Sequence, residues 1–113
     1  MDNDATLDAF AALDIRAGTI GSAEPFPEAR KPAYKLTIDF GPEIGMKRSS
    51  AQLTARYTPE ELTGKQITAV VNFPPKRIAG FLSEVLVLGV ADENGETVLL
   101  APGSAVQNGA RVY

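Results

Sequence analysis

The chain has 113 residues, 44% of them hydrophobic and 22% charged, with a formal net charge of −3. This is enough for one domain around a single core and too little for two ordinary ones. Cysteine and histidine are both absent, which removes disulfides, thiolate chemistry, serine–histidine and cysteine–histidine triads and the usual zinc ligand sets.

No apolar run approaches the roughly 18 residues of a membrane span, so membrane insertion is not expected. The acidic start, Met1-Asp2-Asn3-Asp4, lacks the charged-then-apolar pattern of a secretion signal, and the expected location is the cytoplasm.

In chain order, residues 4–13 read as a short amphipathic helix inside an N-terminal segment 1–13. Leu7, Phe10, Ala11 and Leu13 lie on one face, and Asn3 or Asp4 serves as the cap. A helix this short needs a docking surface, either its own barrel or a second subunit. Asp14 to Glu24 reads as a first strand whose small residues Ala17, Gly18 and Gly21 permit a bend. A loop with three prolines, Pro25 to Pro32, carries Phe26, Arg30 and Lys31. In the second strand, Tyr34, Leu36, Ile38 and Phe40 alternate with Lys35, Thr37 and Asp39, and Gly41-Pro42 ends it. Met46 to Leu53 is a polar third strand containing Lys47, Arg48, Ser49 and Ser50.

Thr58-Pro59-Glu60-Glu61 opens a second short helix with a capping box, and Gly64 closes it. Ile67, Ala69, Val71 and Phe73 alternate with polar or small residues in a fourth strand. Pro74 and Pro75 then stop sheet pairing, holding Lys76 and Arg77 out on a stiff loop. Ser83 to Val90 reads as a fifth strand, apolar enough to be buried on both faces. Asp92-Glu93-Asn94-Gly95 is a hairpin turn leading to a short strand, Thr97 to Ala101, and residues 102–113 form a C-terminal extension.

The expected fold is therefore one mainly β domain over residues 1–113. Its element order matches the five-stranded Greek-key barrel of the OB-fold, with an added N-terminal helix and a helix between strands 3 and 4. Between Arg30 and Arg77 nine cations face four acids, a local excess of five, while the remainder of the chain sums to −8. These cations fall on the strands and loops that bind oligonucleotides in OB-folds. Lys31, Lys35, Lys47, Arg48, Lys76 and Arg77 are candidates for phosphate contacts, with Arg30 beside them in the same loop.

Phe26, Phe73 and Phe81 are candidates for base contacts, with core or turn packing the reading for Phe73 more than for Phe26. Ser49, Ser50 and Ser83 could reach phosphate or sugar, or satisfy local backbone. Asn72 has the position of a backbone cap. A peptide-holding alternative places Phe26, Ile78, Phe81 and Leu82 along an apolar groove. The run Gly41 to Ser49 lacks the spacing and setting of a phosphate loop. Asp14 with Asp39 and Glu60 with Glu61 read as strand-edge and capping carboxylates, so no catalytic residue, metal or cofactor is expected.

Four blocks carry a family likeness: Asp14-Ile-Arg-Ala-Gly-Thr-Ile20, Asp39-Phe-Gly41, Tyr57-Thr-Pro-Glu-Glu-Leu62 and Asn72 to Val90. From about Leu13 to the C-terminus the chain resembles the tRNA-binding OB-fold family. Pro25 to Leu36 and Asn72 to Phe81 are more similar to its stand-alone branch, the CsaA export-related chaperones. The resemblance implies a homodimer with terminal segments at the interface. It also implies binding of tRNA or of unfolded export precursors, with the secretion motor as a further partner. It places Asn72, Lys76, Arg77 and Ser83 in the nucleic-acid-binding block. The chain departs from the wider family in having Ala51-Gln52-Leu53 for Ser-Gly-Leu and Val85-Leu86 for Gly-Met.

Overall fold

The computed structural model describes residues 3–113; Met1 and Asp2, the start of the acidic N-terminal run, lie outside the described residues. The longest strand, β1 (Ile15–Pro25), serves two partners in turn. Its first part, Ile15 to Thr19, pairs antiparallel with β4 (Gln66–Val70). From Thr19 onward it pairs with β2 (Tyr34–Asp39), across a bulge between Ile20 and Ser22. Gly18 lets the strand cross the core: a β-carbon there would lie 2.7 Å from the Phe40 ring.

β2 pairs with β3 (Met46–Ala51), and β4 with β7 (Leu86–Val87), giving the order β3-β2-β1-β4-β7. The sheet curls into a nearly closed barrel, in which the buried Ser49 hydroxyl donates to the Val85 carbonyl at 3.0 Å. This is the mainly β, OB-like architecture expected from the element order. Ile20, Leu36, Ile38, Phe40, Leu53, Leu62 and Ile67 fill the core.

The alternation of β2 is as the sequence predicts, with Leu36 and Ile38 inward and Lys35 and Thr37 outward. The capping box at α3 (Pro59–Leu62) is also present: Thr58 accepts from the Glu61 amide, and Glu61 accepts from the Thr58 amide. The first helix, α1 (Leu7–Ala11), is shorter than predicted, and its cap is Thr6 rather than Asn3 or Asp4. Its apolar face is not docked, since Leu7 is 86% and Phe10 43% exposed. Gly41-Pro42 begins a turn of helix, α2 (Gly41–Ile44), that the sequence reading did not include.

Two larger corrections concern the region after β4. The double-proline segment does not lead into a loop. Lys76 and Arg77 lie in a strand, β5 (Lys76–Ile78), paired with β6 (Phe81–Ser83) in a two-residue hairpin. Its turn residues, Ala79 (φ 47°) and Gly80 (φ 82°), both have positive φ, the requirement of a type I′ turn. The expected fifth strand, 83–90, is divided. β6 ends at Ser83, β7 joins the barrel, and β8 (Gly89–Ala91) leaves it to pair with β9 (Thr97–Leu99). Nor is that stretch buried on both faces, because Leu86 and Val90 are about half exposed, at 51% and 55%.

The C-terminal extension closes the free edge of β1. Ala17 donates to the Ala110 carbonyl, Gly109 to that of Ala17, and Val112 to that of Ile15, at 2.7–2.9 Å. Arg16 fixes this strap: its Nε donates to Asp14 at 2.6 Å and its Nη1 to the Gly109 carbonyl at 2.9 Å. The bond to Asp14 is the main cause of a guanidinium pKa raised above its ordinary value.

Candidate nucleic-acid interface

Loop 26–33 and the β5–β6 hairpin face each other across the end of β3. Between them lies a groove of about 910 Å³, lined by Arg30, Lys31, Lys76 and Arg77, with Glu28 as its one carboxylate. Ser50, Gln52, Ile78 and Ala79 also line it, with Ala29 and Ala33 from the loop. Residues 46 apart in sequence, Arg30 and Lys76, thus share one cleft because the hairpin is anchored to β3. The anchor is a pair of hydrogen bonds: Ser50 N–H to Ser83 Oγ at 3.0 Å, and Glu84 N–H to the Arg48 carbonyl at 2.8 Å.

Among the described residues, none of the four groove cations has an ion-pair partner. Arg77 donates to the Gly80 carbonyl of its own turn at 3.2 Å. Grouping unpaired cations in one cleft costs mutual repulsion, which a bound polyanion relieves.

Beside the groove lies a cluster of aromatic rings and cations. Phe26 and Phe81 meet edge to face, with centroids 5.4 Å apart. The Lys35 ammonium lies 5.1 Å from the Phe26 centroid and 5.7 Å from that of Phe81. The Arg48 guanidinium lies 4.8 Å from the Phe81 centroid. Register explains the gathering, since Lys35 stands opposite Ser50 and Thr37 opposite Arg48 on neighbouring strands.

The structure treats the other predicted site residues differently. Ser49 faces the core, 1% exposed, and offers no surface atom to a ligand. Ser83 uses its hydroxyl oxygen to hold the Ser50 amide. Asn72 acts as a backbone cap, accepting from the Asp14 amide and donating to the Ala12 carbonyl, both at 2.9 Å. Lys47 is half-buried, 4.0 Å from Glu84. Phe26 and Phe73 exchange expectations: Phe26 is 3% exposed and Phe73 43%. Phe26 is wedged beneath Lys35 and Phe81, whereas Phe73 precedes two prolines that carry the chain outward. Ile78, Phe81 and Leu82 are half-buried; Ile78 lines the basic groove, and Phe81 is capped by cations. Gln52 and Ala79 were missed. The signal for Gln52 was its spacing of two from Ser50, and for Ala79 its position before Gly80.

The terminal segments form a second concavity of about 500 Å³, lined by Phe10, Ile15, Leu88, Leu100, Val106 and Val112 among others. Arg111 is the one charged residue on its wall.

Residues 15–111 match the family model of a tRNA binding domain. The chain belongs to the tRNA-binding domain family. Within that family it is 58% identical to the chaperone CsaA from Bacillus anthracis, covering 97% of this chain and 99% of that one, with a TM-score of 0.91. The CsaA chaperone of Picrophilus torridus is 50% identical, with coverage of 97% and 100% and a TM-score of 0.92. A methionine–tRNA ligase of Porphyromonas gingivalis is 34% identical over 109 residues, 96% of this chain. The chain spans only 16% of that ligase's length. The family match thus covers the barrel and the basic groove and, of the apolar concavity, all the lining residues but Phe10 and Val112.

Proposed function

We propose that this is a non-enzymatic, CsaA-type binding protein of the cytoplasm that holds tRNA-like nucleic acid on its basic face. The observation that carries the reading is the groove in which Arg30, Lys31, Lys76 and Arg77 converge with no ion-pair partner among the described residues. Phosphates supply the missing counter-charge, and the Ser50 and Gln52 side chains supply polar contacts to sugar or base. Few stacking rings are accessible, which favours a folded RNA recognised largely by shape over a loose single strand.

The protein acts as a homodimer in this reading, with the terminal segments at the interface. Undocked Leu7 and Phe10, beside an apolar concavity, support that assignment. A second reading is favoured by the likeness to two CsaA chaperones: holding of unfolded export precursors, in partnership with the secretion motor. Fluorescence anisotropy with labelled tRNA, run in parallel with an unfolded precursor peptide, separates the two. Salt-sensitive binding of tRNA supports the first. Salt-tolerant binding of peptide, with no binding of tRNA at low salt, supports the second and overturns the first.

A further inference from the structure

We propose that Arg48, laid over Phe81, is a stacking platform for one unpaired base of the bound RNA. The inference rests on the RNA reading of the groove and adds to it a specific ligand feature, a nucleotide outside any duplex. Three observations carry it. First, the Arg48 side chain has no carboxylate partner among the described residues; the nearby Glu84 instead accepts from the Arg48 backbone amide at 3.0 Å and lies 4.0 Å from Lys47. Second, the guanidinium is 4.8 Å from the Phe81 centroid, so one side of the cation is backed by an aromatic ring while the residue remains exposed. Third, Phe81 is itself fixed by Phe26 and Lys35, which makes the support rigid rather than a surface side chain in free rotation.

Position completes the case. Arg48 and Ser50 are two positions apart on β3 and point to the same outer side, opposite Thr37 and Lys35. Ser50 lines the basic groove, so the platform stands about 7 Å along the strand from the groove wall. An RNA strand whose phosphates lie in the groove can therefore present its next base to Arg48. A planar guanidinium offers a π-face that accepts an unstacked base, whereas an ammonium supplies charge without that face. Duplex RNA, with its bases already stacked, gains nothing from the platform.

The test compares wild type with Arg48→Lys, which keeps the charge, against a hairpin RNA with an unpaired loop and a blunt duplex of equal length. Arg48→Lys is expected to lose about tenfold in affinity for the hairpin and less than twofold for the duplex. A 2-aminopurine in the loop should change its fluorescence on binding to wild type and not to the variant. Equal affinities of wild type and Arg48→Lys for the hairpin would overturn the platform, as would equal losses on hairpin and duplex. Absence of RNA binding by wild type itself would instead overturn the RNA reading on which the platform rests.

Discussion

Two of the molecule's concavities have opposite chemistry on one barrel. One is a wide cleft walled by four cations from two hairpin-like excursions. The other is smaller and apolar, lined by Phe10 of the N-terminal helix, by Leu88 and Leu100 at the base of the β8–β9 hairpin, and by the C-terminal strap. The difference teaches how a small barrel separates two kinds of contact. A polyanion held by the charge on the first would bind with an affinity that depends steeply on ionic strength. A contact made through the apolar surface of the second would be insensitive to moderate salt, because burial of hydrocarbon releases water rather than ions.

The comparison can be broken most sharply on the basic side. Replacing Lys76 and Arg77 together by Glu reverses half of the groove's positive charge. It should lower tRNA affinity by about 100-fold or more at 0.1 M salt, read by anisotropy, with the oligomeric mass unchanged. If affinity stayed within twofold, the groove would not be the RNA site. The frame common to both concavities is broken by Gly18→Val, whose β-carbon would press to 2.7 Å from the Phe40 ring. A loss of about 1–3 kcal/mol of stability is expected in urea unfolding, and both functions should fall together.

On the apolar side, Phe10→Asp places a charge in the terminal concavity. Light scattering at micromolar concentration should fall from about twice the chain mass toward one, with the salt dependence of tRNA binding per protomer retained. A wild-type protein that is already monomeric would remove the dimer from the account.

The smallest effect concerns the tip of the β8–β9 hairpin, whose residues line neither concavity. Asp92 anchors the β8–β9 turn by accepting from the Glu96 and Asn94 amides and from Arg56. These contacts, the Glu96 amide foremost, hold its carboxyl below the ordinary aspartate value. Because the folded-state pKa is depressed, the stabilisation is complete above the unfolded value of about 3.9 and is lost as pH falls through the folded one. Asp92→Asn should therefore reduce the acid dependence of the melting temperature below pH 4, measured against wild type, and leave the basic groove unaffected.

Much of the fold was legible because local signals and burial agreed. The period-two pattern of β2 and the Thr58–Glu61 capping box lie where the sequence places them. The site was legible in part. The 25–32 loop with Arg30 and Lys31, and Lys76-Arg77, could be assigned to one face from strand order, yet the hairpin that carries Lys76 was hidden. Two prolines suggested a loop, and the turn uses Ala79 in a left-handed conformation where Asn or Gly is the usual marker. The apolar run Ser83 to Val90 is neither one strand nor buried on both faces, for a different reason. Hydrophobicity records a preference for burial without saying what does the burying, and here the chain switches from barrel to hairpin within a few residues. Phe26 was placed outward because it lies in a proline-rich loop; only the distant Phe81 and Lys35 make that position buried.

The central claim, that the four-cation groove is a phosphate-contacting surface, is tested most directly by the salt dependence of tRNA affinity. With about four phosphates neutralised, log affinity against log salt should be linear with a slope of roughly −3 to −4. The Lys76→Glu, Arg77→Glu variant should give a slope shallower by about two. A wild-type slope near zero, or one that the double reversal leaves unchanged, would contradict the account.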